Sequence, residues 1–303
     1  MKSLKKLVIK LVILPLLLLG LMASAQETAN RFFYELTYKP KKDSARLDKV
    51  MTTLDIAKDK SIYQDFTLPA QDSIIKTYVE EMEKTKTFKD MSKMIKWPKF
   101  SYKIYKTYPS MTEMYVDRIS RNLFAYEENI KFDWKILADK EKIGTYNTQK
   151  ATTEFGGRQW TAWFSTDIPF QDGPYKFYGL PGLIVKIEDS EKNYSWLLSG
   201  NKTVKDWKEF TYAEEVNAKK YGMSNEKKTI AKDKFEKSYA AFKQDPMAEA
   251  RTQIPQNMLS MKMPGSDLTI GEMLKNQEKM LNDFFKSTDN PIEVPQITEK
   301  KKK

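Results

Sequence analysis

The centre of the chain is unlike the rest in its density of Gly, Pro and Trp, and it sets three charged side chains between Arg158 and Asp172. Arg158 offers a planar guanidinium that can clamp an anion with paired hydrogen bonds. Asp167 and Asp172 add carboxylates, and Trp163 adds an aromatic face. These four residues form a candidate ligand or partner surface. They can also satisfy one another, and an internal pair of Arg158 with Asp167 or Asp172 is the favoured reading. Asp133, between Phe132 and Trp134, is a candidate acid facing a cavity. Two opposed carboxylates would suit glycoside hydrolysis, but among 41 acidic residues the proximity of two carries little weight. Asp139 with Glu141, and Glu188 with Asp189, read as solvated loop ends. Met258, Met261 and Met263 offer soft sulfur to copper(I). Methionine is equally a flexible packing residue, so no metal or cofactor is assigned.

Composition narrows the chemistry further. The chain of 303 residues contains no Cys and no His. That excludes disulfides, thiolate or imidazole metal ligands, and Ser-His-Asp or Cys-His nucleophile pairs within the chain. The balance therefore leans away from an enzyme. The formal charge of +11 is concentrated at the ends, with Lys2, Lys5, Lys6 and Lys10 in front and Lys300 to Lys303 behind. The body between them is close to neutral and lacks the footprint of a nucleic-acid binder.

Residues 1–25 read as a secretory signal peptide. A basic start precedes the apolar run Leu11 to Met22, and Ala23-Ser24-Ala25 gives a small-residue cleavage pattern. The apolar run is shorter than the ~20 residues a membrane span needs. The expected protein is periplasmic or secreted, begins at Gln26 after cleavage near Ala25, and has no transmembrane span. Residues 26–288 are expected to form one domain, and 289–303 an extended basic tail.

Periodicity indicates the elements that would position the central residues. Short alternating segments recur from Arg31 to about Thr203: Lys49–Ile56 and Ser61–Phe66 flanking a hairpin, then Phe100–Tyr105, Glu113–Ile119, Asn122–Tyr126, Phe132–Leu137, Gly144–Phe155, Arg158–Ser165, Leu183–Glu188 and Tyr194–Ser199. Residues 70–94 break the series with the spacing of an amphipathic helix. Glu226–Gln244 and Thr269–Ser287 read as C-terminal helices, separated by a Pro- and Met-rich loop over 246–266. The expected fold is α+β: a large curved, mainly antiparallel sheet, half-barrel-like, with an inserted helix and C-terminal helices.

The motif itself runs from Phe155-Gly156-Gly157-Arg158 through Trp160-Thr161-Ala162-Trp163-Phe164, Asp167-Ile168-Pro169 and Gly173-Pro174 to Gly179-Leu180-Pro181-Gly182-Leu183-Ile184. That hexapeptide and its flanks resemble the signature of the GLPGLI family, exported proteins of Bacteroidota-type bacteria. Lys150-Ala151 upstream and Asn290-Pro291-Ile292-Glu293 downstream resemble it too. The family pattern often has a Cys shortly before Lys150-Ala151, where this chain has Tyr146-Asn147-Thr148-Gln149. The resemblance implies export and no particular reaction, since the family has no established activity.

In purely physical terms, Leu180-Pro181-Gly182-Leu183 suits a type II turn with positive φ at Gly182, and Gly179 suits close backbone approach. Trp160, Ala162, Phe164, Leu183 and Val185 are expected in the core. The segment then reads first as a structural hub. The function it fits best is a non-catalytic binding or carrier module for a hydrophobic, lipid-like ligand, held in a sheet plugged by the helix at 70–94. The alternatives are a structural or accessory partner of an outer-membrane protein, and a carboxylate-based hydrolase.

Overall fold

The computed structural model describes residues 27–87, 94–262 and 265–294. The proposed leader and the basic end of the tail lie outside the described residues. Twelve strands form one mixed, mostly antiparallel sheet that does not close into a barrel.

The strands belong to two meanders joined at their inner edges. The first runs outward through β1 (Ala29–Tyr38), β2 (Asp48–Ile56), β3 (Lys60–Asp65), β4 (Lys103–Thr107), β5 (Thr112–Ile119) and β6 (Asn122–Glu128). The chain then crosses to the opposite edge. It returns through β7 (Lys135–Ile143), β8 (Tyr146–Phe155), β9 (Arg158–Ser165), β10 (Leu183–Asp189) and β11 (Tyr194–Val204). β11 pairs antiparallel with β1 and closes the join. The short β12 (Lys227–Thr229) adds to β6 in parallel, the one non-antiparallel pair among the described strands.

Alternation places the core. Trp160, Ala162, Phe164, Leu183 and Val185 are all buried, as their period-two spacing predicts. Ala162 lies opposite Ala151 on β8, and these two small side chains leave room for the neighbouring aromatics. Trp160 and Trp196 lie at the centre with ring centroids 6.0 Å apart. Trp196 donates from its indole nitrogen to the Tyr63 hydroxyl at 2.8 Å, so burial leaves no orphan donor there. A smaller cluster on the other face contains Ile62, Tyr105, Val116 and Trp207.

The helices are α1 (Asp72–Thr85), α2 (Tyr212–Tyr221), α3 (Lys232–Gln244), α4 (Ala248–Gln253) and α5 (Ile270–Lys286). α1 is shorter than the expected 70–94 span, because Lys86 takes a left-handed conformation and ends it. Residues 88–93 of that span lie outside the described residues. Nor does α1 plug the sheet: only Ile75 is buried, and the helix packs beside α2. The Asp72 carboxylate accepts from the first backbone N–H groups of α2, at Tyr212 (2.8 Å) and Ala213 (3.1 Å). The interval 246–266 is less open than expected, since it contains α4 and a short 3-10 turn at Gln256–Met258.

Candidate functional site

The central motif folds over one face of the first meander. Between β9 and β10, residues 166–182 leave the sheet and cross the first meander. Hydrogen bonds from Leu183 N to Ile168 O (3.1 Å) and Ile184 N to Asp172 O (3.0 Å) return the chain to it. The turn chemistry differs from the type II expectation. Gly182 N bonds Leu180 O at 2.7 Å, a three-residue turn centred on Pro181. Positive φ falls on Gly179, at +93°. At Gly182 the constraint is contact: a Cβ there would lie 2.1 Å from the Ser165 carbonyl oxygen. The two glycines thus exchange their expected roles.

The motif is held down by charge. Ser61, Lys106, Glu113 and Glu128 stand opposite one another in a row across β3, β4, β5 and β6. Lys106 is fully buried and pairs with Asp172 at 2.5 Å. Its ammonium also donates to the carbonyls of Gly173 (2.8 Å), Tyr175 (3.1 Å) and Phe177 (3.3 Å). Asp172 further accepts from Ser61 Oγ at 2.6 Å and from the Tyr108 hydroxyl. Lys176, also buried, pairs with Glu128 and, at 2.6 Å, with Glu293. Glu293 accepts in addition from the Tyr175 hydroxyl at 2.5 Å.

Glu113 lies within this cluster with both carboxylate oxygens buried and without a hydrogen-bond partner. Burial pushes its carboxyl up to about 8, against the opposing pull of Lys106 and Lys176. The folded protein therefore retains a proton that the unfolded chain gives up from about pH 4.5 upward. Stability from this group is full below that pH and falls as pH rises toward 8, by about 1.4 kcal/mol per pH unit. Glu113→Gln removes the titration. In urea melts its stability relative to wild type should rise by roughly 2–3 kcal/mol between about pH 5 and pH 7. A difference that stays flat with pH would show that Glu113 is ionised in the fold.

Arg158 is an internal anchor, with partners other than those expected. It pairs with Asp189 at 3.1 Å, not with Asp167 or Asp172. It also donates to the carbonyls of Ile292 and Pro291 (2.9 Å each) and to Asn290 Oδ1 (2.8 Å). Residues 289–294 are consequently a strap packed on the motif, with Asn290 and Ile292 buried, and the tail expected from 289 does not begin there. Asp189 is buried rather than a solvated loop end, because it ends β10 beneath Arg158 and accepts from Tyr194 N. The four expected surface residues do not converge. Asp172 and Arg158 serve separate networks, and Asp167 is exposed beside Asn147. Trp163 lies on the opposite sheet face from Trp160, with Lys150 over its ring. Asp133 is exposed, because it alternates with Phe132 and Trp134, which pack inward. Met258 and Met261 are exposed, and Met263 lies outside the described residues.

Beside the charged cluster, on the same sheet face, is a cavity of about 600 Å³. Four neighbouring rings form its floor, Phe100, Tyr102, Tyr115 and Tyr126, with successive centroids 4.5, 5.1 and 5.1 Å apart, and Tyr63, 6.1 Å from Phe100, lies outside the lining. Tyr175 and Tyr194 form one wall together with the strap residues Asn290 to Glu293. Phe235 and Tyr239 of α3, and Phe284 and Phe285 of α5, roof it. Lys99 and Lys243 are lining residues that reach solvent and so mark the rim. Burial raises the hydroxyl groups of Tyr102, Tyr115, Tyr126 and Tyr239, so all four remain neutral hydrogen-bond donors. Asp117, two residues beyond Tyr115 on β5, is raised by burial to about 6, facing Ser101 and Tyr239.

Among the described residues, no helix is long and apolar enough to cross a membrane, and no cluster of acidic residues has metal-site geometry. No curated protein matches the chain. Two structures of PNGF-II, solved in space groups P21 and C2, share 13% identity with it, at TM-scores of 0.45 and 0.47. The alignments cover 70% of this chain and 33% and 32% of those, so the chain spans about a third of their length. Residues 154–186, the core of the motif, match a family described as "Protein of unknown function (Porph_ging)".

Proposed function

We propose that this chain is a non-catalytic binding module that holds a hydrophobic ligand in the cavity between the sheet and helices α3 and α5. The observation that carries the reading is the cavity itself, about 600 Å³ and walled by tyrosine and phenylalanine from the sheet, the motif and two helices, with the strap residues Asn290 to Glu293 beside them. That size and lining are typical of small-molecule sites. The motif then acts as a hub: Lys106–Asp172 and Lys176–Glu293 fix the wall that Tyr175 presents. The GLPGLI resemblance belongs to the same proposal, since the motif and the Asn290–Glu293 segment that carry it are bound together through Arg158. So does export, with Gln26 as the first residue of the mature protein.

The hydrolase alternative fits less well. Among the described residues, three acids have a raised pKa. Asp65 is engaged by the backbone N–H groups of Thr67 and Lys99. The other two, Glu113 and Asp117, are on one strand about 13 Å apart along it. That exceeds the ~5–9.5 Å separation of working carboxylate pairs. None of the three lines the cavity.

A ligand that binds only the folded state raises the melting temperature by mass action. Lipid extracted from the native envelope should therefore stabilise the protein, by about 2.7 kcal/mol at a hundredfold excess over Kd. Tyr239→Ala should abolish the shift while leaving a cooperative melt. An equal shift in wild type and Tyr239→Ala would place binding elsewhere.

A further inference from the structure

The hydroxyl groups of the cavity floor specify what a ligand must carry, given the binding role proposed above. Around the motif, buried tyrosine hydroxyls are engaged by the protein. Tyr34 donates to Ile184 O at 2.7 Å, Tyr175 to Glu293 at 2.5 Å, and Tyr194 to Asn290 O. The floor residues Tyr102, Tyr115 and Tyr126 differ. Among the described residues, their hydroxyls have no hydrogen-bond partner. Nor are these oxygens sealed inside the protein, as that of Tyr105 is. All three residues line the cavity, so their hydroxyls are open to whatever fills it.

A neutral phenol donates its O–H strongly and accepts weakly, because an oxygen lone pair is shared with the ring. Water satisfies such a group while the cavity is empty. A ligand that displaces the water must replace its hydrogen bonds or lose affinity. Each donor left unpaired cancels the gain from burying one or more methylene groups. Charge points the same way. The ammonium groups of Lys176 and Lys232 lie 5.7 and 5.3 Å from the centre of the Tyr126 ring, and that of Lys176 lies 5.9 Å from the centre of Tyr115. Of the lining carboxylates, Glu293 and Asp289 are held by Lys176 and Lys41, and Glu236 is exposed. We infer that the ligand of this cavity is an amphiphile, with an apolar tail against Phe235, Phe284 and Phe285 and a head of acceptor oxygens, a carboxylate being the simplest, received by Tyr102, Tyr115 and Tyr126. This rests on the cavity being a binding site and adds the polarity of the head group.

The test titrates dodecanoate and dodecylammonium, which share one tail length, into the full mature chain by calorimetry at neutral pH and below micelle-forming concentrations. Dodecanoate should bind about tenfold more tightly, the effect of one charge-assisted hydrogen bond. Tyr115→Phe/Tyr126→Phe keeps the rings and removes two hydroxyls. Because those hydroxyls have no partner in the protein, the variant should melt like wild type. Its dodecanoate affinity should fall about tenfold, and its dodecylammonium affinity should change less than about twofold. Tyr126→Phe alone serves if the double variant does not fold. Equal affinity for the two heads, tighter binding of dodecylammonium, or a dodecanoate affinity untouched by the substitutions would overturn the acceptor-head inference and leave the binding role standing. Binding of neither probe would overturn both.

Discussion

Gly182→Ala should abolish most of the stability of this protein, although it adds only one methyl group. The new Cβ would lie 2.1 Å from Ser165 O and 2.6 Å from Ser165 C. Both are backbone atoms at the end of β9, held by pairing with β10, so no rotamer change relieves the clash. The expected loss is about 4 kcal/mol or more, at the extreme of single substitutions. Gly179→Ala makes the useful contrast. Its φ of +93° is strained for any side chain, but the space is open, with Trp134 Nε1 nearest at 3.9 Å. That loss should be roughly 1–3 kcal/mol. Denaturant melts of the two variants decide the order. A milder effect at Gly182 than at Gly179 would mean that the Ser165 carbonyl does not crowd Gly182.

Lys106→Met should cost about 3–5 kcal/mol, because it leaves the Asp172 carboxylate buried without its cation. The pair is enclosed, at 0% and 1% side-chain exposure. Desolvation of two charges makes the intact pair a weak source of net stability, while removal of one partner is severe. The double variant Lys106→Met/Asp172→Asn should therefore be more stable than Lys106→Met alone. The coupling expected between neighbours of this kind is roughly 0.5–3 kcal/mol in a double-mutant cycle. Strict additivity would show that the two residues do not act as a pair.

Two kinds of information in this fold were unequally legible from sequence. Trp160, Phe164, Leu183 and Val185 could be placed because alternation of apolar residues reports burial directly. The same logic does not reach Lys106 and Glu113. A charged residue alternating with apolar neighbours reads as the solvent side of a strand. Here that side is covered by the motif, which arrives from a distant part of the chain. The burial of these residues is a tertiary fact with no local trace. α2 differs, because a signal was present: Thr211 and Glu214 form a capping box. Only a weak apolar stripe follows, with Val216 its buried residue, so periodicity alone does not reveal the helix. The cavity was anticipated in kind but not in place. Its rings come from the sheet, the motif, α3 and α5, and only the closed fold brings them together. The expected plug, α1, instead packs on α2, with its outer face in solvent.

The proposed function joins the hub to the cavity: buried ion pairs hold the motif and the strap in place, and the motif sets Tyr175 in the cavity wall. Native mass spectrometry of the mature protein, purified from its own cells without detergent stripping, tests this most directly. The account predicts a non-covalent adduct of one small molecule per chain, released by organic solvent and missing from the Tyr239→Ala protein prepared in parallel. A wild-type spectrum showing the bare chain mass, together with no rise in melting temperature from envelope extract, would contradict it.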